Sequence, residues 1–317
     1  MIKSVTVINS RNPSEELKMT LTSPEESQGF AIGEIKGLGP GHLTMNMTEY
    51  VTVDGGDINS WHFDSREISF NLYLTDLNII HNDLIEDVRK RTYKWFALGT
   101  FVKLIFELDR GSYWIDGIVK SNEPNIFSDK ETTSIVIKCD DPNFKLTTDI
   151  VHSFTEIKSM FHFPFAIKKT PGIPVSAVLR RDKIVINNVS TKPVGAVFTL
   201  RAVGGRVYNP EVSNETTNET LALNIIMIPN TVGDFSNTNK ITIDMREKHR
   251  AIYNAVGEKK MSWINSAVDG NHKMIGKWFL LQPGENVISA SAGEYEGFNT
   301  YKFLDLTIQL TPIYEGI

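Results

Sequence analysis

Residues 66–74 read Arg-Glu-Ile-Ser-Phe-Asn-Leu-Tyr-Leu, and from Ile68 onward an apolar side chain occupies every second position. Successive side chains of a β-strand point to opposite faces, so this alternation predicts a strand with one buried face. The same alternation recurs at Ile135–Cys139, Leu221–Ile225, Ile241–Met245 and Leu304–Leu310. Turn-forming clusters such as Asp54-Gly55-Gly56-Asp57 separate such stretches. The sequence therefore predicts a mainly β protein built from sandwiches or barrels.

One segment of the first half departs from this pattern. Over residues 81–97 the apolar side chains follow the period of a helix, with Thr92 interrupting the stripe: they are Leu84, Ile85, Val88, Trp95 and Phe96. The opposite side carries the charged residues Asp87, Lys90, Arg91 and Lys94. Gly99 follows as a residue that ends helices. The sequence therefore predicts one substantial amphipathic helix that packs across a sheet.

The length of 317 residues predicts two or three domains, and the sequence offers one clear boundary. A boundary is expected at Asp140-Asp141-Pro142-Asn143, because the alternating stretch ends there and proline cannot continue a central strand. A polar stretch, 145–151, follows. We therefore expect domains at 1–145 and 146–317.

Composition and charge exclude several classes of protein. Lys and Arg number 33 against 38 Asp and Glu, so the net charge of −5 gives no basic footprint for nucleic-acid binding. No apolar stretch reaches the roughly 20 residues of a membrane helix, and the N-terminus lacks the apolar segment of a secretory signal. Cys139 is the one cysteine, which excludes an internal disulfide framework. We therefore expect folding in a reducing cytoplasm, without a membrane or nucleic-acid partner.

Motifs that carry chemistry are missing from the sequence. The glycine-rich run Gly37–Gly41 contains a proline and precedes a strand-like stretch, unlike a phosphate-binding loop that opens into a helix. The seven histidines are scattered, and neither an H-E-x-x-H nor a G-x-S-x-G motif occurs. Cys139 lies on the apolar side of its predicted strand. The sequence therefore predicts no catalytic, metal or cofactor site and no enzymatic activity.

An ordered set of short motifs resembles the distal tail proteins of long-tailed bacteriophages over nearly the whole chain. In the first half these are Asp54-Gly55, 66–74, Glu86–Phe96, Tyr113–Ile118, Glu123–Phe127 and Cys139–Phe144. In the second half they are Asn209-Pro210, Asn214–Thr220, Trp278–Asn286 and Leu310–Ile317. Met227–Asn239 and Arg250–Asn271 are longer than this resemblance leads us to expect.

The resemblance implies a structural role in the virion. Such proteins form a hexameric ring that joins the tail tube to the tail tip or baseplate hub, after synthesis and assembly in the host cytoplasm. The implied fold is a tail-tube-like β-sandwich or barrel with one helix, followed by a jelly-roll or galectin-like β-sandwich that projects outward. The implied partners are other copies of the chain, the tail tube protein, the tape-measure protein and the tail-tip or hub protein. No cofactor is implied.

Within this frame, residues 37–57 are expected to contact a neighbouring ring subunit or the adjacent tube ring. Three glycines weaken local order, and apolar residues then alternate with polar ones before an oxygen-rich turn. The candidate interface residues are Gly37, Gly39, Gly41, Leu43, Met45, Met47, Asp54 and Asp57. We expect residues 1–145 to form the ring and residues 150–317 to form a peripheral domain.

Two other functions remain open from the sequence. The 17 Phe, 9 Tyr and 5 Trp residues would also suit a carbohydrate-binding module of a host-adhesion device. A glycan- or peptidoglycan-cleaving enzyme would need two carboxylates roughly 5–10 Å apart across a cleft. Any chain this rich in acidic residues offers such pairs, so the sequence alone does not support the enzyme.

Overall fold

A computed structural model of the chain describes residues 1–20, 27–52, 54–75, 84–126, 130–159, 176–230, 237–265 and 276–317. The chain forms two compact units. The first comprises 1–148 and 313–317, and the second comprises 149–312. Both consist mainly of antiparallel strands, so the predicted fold class, mainly β, is confirmed, and the described residues include one α-helix.

The first unit is built on one large antiparallel sheet and a separate hairpin. Its strands up to the second unit are β1 (Ile2–Asn9), β2 (Asn12–Met19), β3 (Phe30–Lys36), β4 (Leu43–Glu49), β5 (Gly56–Phe63), β6 (Arg66–Leu74), β7 (Phe101–Leu108), β8 (Gly111–Asn125), β9 (Thr132–Cys139) and β10 (Phe144–Leu146). The large sheet has the order β2-β1-β7-β8-β9-β6-β3, with β10 paired to β8. Among the described strands, β4 and β5 pair with each other and with no other strand.

Strand β6 has the alternation that its sequence predicts. Ile68, Phe70, Leu72 and Leu74 are buried. The residues between them are exposed or half-buried. Complete burial of such a side chain contributes about 1.5–3 kcal/mol, so the register of β6 against its neighbours is strongly favoured.

Helix α1 spans Ile85–Trp95, inside the predicted range of 81–97, of which 81–83 lie outside the described residues. Val88, Thr92 and Trp95 are its buried residues. The interruption at Thr92 is tolerated because its Oγ1 donates a hydrogen bond to the Arg89 carbonyl at 2.7 Å. Leu84, expected in the apolar stripe, instead precedes the helix and is 53% exposed.

Two asparagines of the sheet complete the last turn of α1. The Asn9 amide donates to the Trp95 carbonyl at 2.8 Å. The Asn122 amide donates to the carbonyls of Thr92 at 3.2 Å and Phe96 at 3.1 Å. The bonds to Trp95 and Phe96 satisfy carbonyls that the helix end leaves without intrahelical donors, whereas the Thr92 carbonyl also accepts from the Phe96 backbone amide at 2.7 Å. The helix is therefore fixed to the sheet by polar contacts as well as by its apolar face.

The second unit contains two larger antiparallel sheets. Its strands are β11 (Ile150–Ser153), β12 (Thr155–Ser159), β13 (Ser176–Arg180), β14 (Lys183–Asn188), β15 (Val197–Ala202), β16 (Val207–Tyr208), β17 (Glu211–Asn214), β18 (Glu219–Ala222), β19 (Ile226–Met227), β20 (Lys240–Asp244), β21 (Ala251–Tyr253), β22 (Gly284–Ser291), β23 (Glu294–Tyr295), β24 (Phe298–Asn299) and β25 (Leu304–Leu310). The sheet orders are β11-β25-β15-β20-β21 and β14-β22-β17-β18. Two single-turn 3-10 helices, Met261–Trp263 and Thr300–Phe303, are its helical segments among the described residues.

The end of the chain returns to the first unit. A last strand, β26 (Ile313–Tyr314), pairs with β10, and the Tyr314 ring packs edge-to-face on Tyr113 at 5.2 Å. The sequence assigned 146–148 and 313–317 to the second domain, whereas the structure includes both in the first unit. Alternation along the chain could not reveal this pairing, because β10 and β26 are too short to show a period. The second unit is thus an insertion between β10 and β26.

Candidate functional site

The hairpin formed by β4 and β5 carries most of the candidate interface residues. Its register pairs Leu43 with Phe63, Met45 with Trp61 and Met47 with Ile58. Residues paired across antiparallel strands lie on the same face. All six apolar side chains therefore share one face, which we call the apolar face of the hairpin.

The apolar face is uncovered by the rest of the described chain. Trp61 is 60% exposed and Ile58 is 56% exposed. Leu43, Met45 and Met47 are also exposed, and Phe63 is half-buried. Contiguous apolar surface of this kind marks interaction sites on soluble proteins.

The opposite face of the hairpin is polar and holds the two strands together. The Asn46 amide donates to Ser60 Oγ at 3.0 Å. The Asn59 amide donates to Thr48 Oγ1 at 2.7 Å. These cross-strand bonds stabilise the hairpin without covering its apolar face. The difference between the two faces indicates that the apolar face is the one suited to bind another protein surface.

A β-bulge determines which residues of β5 reach the apolar face. Asn46 pairs with Ser60 and Met47 with Ile58, so Asn59 has no partner in the register. Without the extra residue, Met47 would face Asn59 instead of Ile58. The bulge therefore extends the apolar face by one pair toward the tip.

The hairpin is acidic. Residues 37–65 contain Glu49, Asp54, Asp57 and Asp64 but no lysine or arginine. The Tyr50 hydroxyl donates to the Asp57 carboxylate, and this hydrogen bond raises the pKa of Tyr50. A partner surface for this hairpin would be apolar, with basic groups near the tip.

Arg66 anchors the base of the hairpin. Its guanidinium donates from Nε to the Pro142 carbonyl at 2.7 Å, and from Nη1 and Nη2 to the carbonyls of Gly37, Gly39 and Glu315. The guanidinium also lies 4.6 Å from the centre of the Phe144 ring. One buried side chain therefore joins the loop before β4, the loop after β9 and the C-terminal segment.

Among the candidate glycines, Gly37 occupies a position that no other residue type would fit without strain. Its φ of +85° lies in the left-handed region, and a Cβ there would come within 2.0 Å of the Glu67 carbonyl oxygen. A Cβ on Gly39 would meet no atom within 4 Å. Gly37 is therefore required for the close approach of its loop to β6.

The structure distributes the predicted site residues along one segment. Gly37, Gly39 and Gly41 lie in the loop before β4, and Leu43, Met45 and Met47 lie on β4. Asp54 lies in the turn and Asp57 on β5. Sequence reasoning missed Ile58, Trp61, Phe63 and Arg66. Trp61 and Phe63 alternate, which was a usable signal, whereas the bulge conceals Ile58.

The described residues offer little for catalysis. None of their His, Cys, Asp and Glu side chains form a group of three that could hold a metal ion. Burial raises the pKa of the Cys139 thiol to about 12, so it stays protonated at neutral pH. No helix in this part of the chain is long and apolar enough to cross a membrane. The absence of enzymatic activity stays a prediction.

No protein-family model matches the chain, and no curated protein sequence matches it. Among solved structures, the crystal structure of SPP1 Dit (gp 19.1) is similar with a TM-score of 0.63 and 12% identity, over 98% of this chain and 99% of that chain. That protein is described as a paradigm of the hub adsorption apparatus in phages that infect Gram-positive bacteria.

Weaker similarities lead to the phage P2 baseplate in its activated conformation. A chain of the form with Ca matches with a TM-score of 0.43 and 9% identity, over 98% of both chains. A chain of the form with Sr has a TM-score of 0.41 and 8% identity, over 96% of this chain and 97% of that chain. These two scores are too low to carry an argument. The similarity to SPP1 Dit confirms the resemblance predicted from the sequence at the level of the fold: the chain has the fold of a phage Dit protein over nearly its whole length.

Proposed function

We propose that this protein is a structural subunit of a phage tail, which forms a hexameric ring at the distal end and joins the tail tube to the tail tip or baseplate hub. The fold similarity to SPP1 Dit supports this role. The observation that carries the proposal is the apolar face of the hairpin, uncovered on the first unit. A ring offers a neighbouring copy to cover it.

The proposed contact uses the hairpin of one copy against a different surface of the next copy. Such heterologous contacts close into rings when the rotation between copies is suitable. Complete burial of a Met or Ile side chain contributes about 1.5–3 kcal/mol. Five of the six side chains on the apolar face are 42–60% exposed, so covering this face would offset part of the cost of association. Six of this hairpin's side chains, including Trp61, lie on the apolar face.

The proposal assigns a different role to each of the two units. The first unit forms the ring and contacts the tube, the tape-measure protein and the hub. The second unit is proposed to be peripheral, as the family resemblance implies. Its strands form sheets separate from those of the first unit, so it has a core of its own. The virion tail tip is the proposed location, reached after assembly in the host cytoplasm. The subunit acts through binding and needs neither a cofactor nor catalysis.

The test removes apolar area from the hairpin and measures the mass in solution. The double variant Met45→Ser, Trp61→Ser alters two directly paired side chains of the apolar face. Light scattering should give the mass of a ring for the unaltered chain and of a monomer for the variant. Leu98→Ser is the matched control, because Leu98 is 62% exposed on the same unit but lies beyond α1. A ring that survives the double variant would refute the proposed contact.

A further inference from the structure

A cluster of aromatic side chains surrounds an open cleft on the second unit. The cleft has a volume of about 310 Å³. Its lining combines four aromatic rings with charged and amide side chains: Tyr208, Tyr295, Phe298, Phe303, Arg206, Glu296, Asn299, Thr300 and Lys302. Ligand clefts typically combine apolar walls with a few polar groups in this way.

The four rings lie close together at the cleft, and two of them stack on each other. Tyr208 and Tyr295 stack in parallel, with centroids 4.5 Å apart and an interplanar angle of 6°. Phe298 pairs with Tyr295 across β23 and β24 and is 67% exposed. The Lys302 ammonium lies 5.7 Å from the Phe298 ring centre and 5.0 Å from that of Phe303. Exposed aromatic area thus lies directly beside hydrogen-bonding groups.

The turn that joins β23 to β24 has a defined backbone geometry. Glu296 has a φ of +51° and Gly297 a φ of +79°. Positive φ at both central residues matches the two-residue turn that fits the twist of paired strands. The turn therefore fixes the backbone of Phe298, the residue directly after it, at the rim of the cleft.

Buried Thr300 fixes this hairpin to the strand that carries Tyr208. Its Oγ1 donates to the Gly293 carbonyl at 2.6 Å and accepts from the Tyr208 amide at 3.1 Å. The Gly293 amide in turn donates to the Tyr208 carbonyl at 2.6 Å. The backbone segments that carry Tyr208, Tyr295 and Phe298 are thus held together before any ligand binds, which lowers the cost of binding.

We propose that this cleft binds a saccharide. A pyranose ring has an apolar C–H face that packs on an aromatic ring, and hydroxyls at its edge that need both donors and acceptors. Arg206 and the side-chain NH2 of Asn299 offer donors, since Asn299 Oδ1 already accepts from the Tyr301 amide. The Glu296 carboxylate, which also accepts from the Tyr295 hydroxyl, offers acceptor oxygens. The lining has two cations and one carboxylate, so among sugars an acidic one, such as a uronic acid, is favoured over a neutral one.

This site is independent of the proposed ring contact. It lies within residues 206–303 of the second unit, whereas the hairpin of β4 and β5 belongs to the first. Loss of the ring would leave saccharide binding in place, and loss of saccharide binding would leave the ring in place. An experiment can therefore show that the ring contact is wrong without affecting the saccharide proposal, and the reverse.

The test applies the full-length protein to a printed array of neutral and uronic-acid-containing bacterial glycans. The strongest array glycan is then titrated by calorimetry into the unaltered chain and its variants. Phe298→Ala removes the exposed ring and should weaken binding about tenfold. Phe298→Trp keeps an aromatic face and should retain binding. Val256→Ala, at an exposed apolar residue elsewhere on the unit, should change nothing.

Three results would overturn the proposal. The first is no binding to any glycan on the array. The second is glycan binding that Phe298→Ala leaves unchanged. The third is a fall in particle mass on Phe298→Ala, which would show that another copy of the chain covers the cleft.

Discussion

Two exposed hairpins among the described residues differ in ways that separate a protein-contact surface from a ligand site. The hairpin of β4 and β5 is long, with six apolar side chains on one face and a polar opposite face. The hairpin of β23 and β24 has two residues per strand and adds its rings to a cleft already lined by Tyr208. Large one-sided apolar area suits another protein, whereas a few rings mixed with charges suit a small polar ligand. Exposure alone would not have distinguished them.

The largest effect is expected from removing the longer hairpin. The Asp64 amide donates to the His42 carbonyl at 2.9 Å, so a short Gly-Ser turn can replace Leu43–Phe63 without strain. The shortened chain should stay folded and soluble but be monomeric in light scattering. The buried Cys139 thiol provides the control, since a folded first unit should resist labelling by a thiol reagent until denaturant is added. A ring formed by the shortened chain would eliminate the hairpin as the contact.

A smaller but substantial effect is expected from Arg66→Met. The variant leaves four carbonyls of the first unit without their charged donor, and we expect the free energy of unfolding to fall by about 3 kcal/mol. Urea denaturation measures this change. Arg201→Met removes an exposed arginine of the second unit and should cost less than about 0.5 kcal/mol. Equal losses for both variants would show that Arg66 is not an anchor.

The comparison between hairpins is sharpest when each is altered and the other function is measured. Met45→Ser, Trp61→Ser should leave the affinity for the array glycan within about twofold, because the two hairpins belong to separate units. Phe298→Ala should leave the light-scattering mass unchanged. If either variant impairs both properties, the two surfaces act as one interface and the distinction fails.

The smallest effect is expected from the charges of the longer hairpin. Glu49→Gln, Asp54→Asn, Asp57→Asn neutralises its tip while keeping its shape and its apolar face. Exposed charges contribute about 0–1 kcal/mol and are screened by salt, so the ring should persist and differ from the unaltered ring only at low ionic strength. Sedimentation at low and high salt measures this. Complete dissociation at physiological salt would show that charge, not apolar area, drives the contact.

Local pattern was enough to predict much of the fold. The period-two alternation of 66–74 and Leu304–Leu310 became β6 and β25, and the helical stripe became α1. In each case the spacing of apolar residues along a single element is enough to show which of its faces is buried. The apolar side of β4 was readable for the same reason, since Leu43, Met45 and Met47 lie on one strand.

Features that join distant segments were not predicted. The role of Arg66 depends on carbonyls from three separate parts of the chain. Tyr208 meets Tyr295 through the folding of the second unit, and no spacing in the sequence indicates that stack. The return of β26 to β10 rests on a pair too short to show a period. Such contacts are fixed by tertiary pairing, which a one-dimensional pattern does not contain.

The central claim is that the first unit alone forms the ring. Because β10 and β26 are antiparallel neighbours, a short turn can replace residues 149–312 and join Thr148 to Ile313. Light scattering of this shortened chain, beside the isolated second unit, tests the claim most directly. The account predicts a ring for the joined first unit and a monomer for residues 149–312. A monomeric first unit, or a ring formed by the second unit, would contradict it.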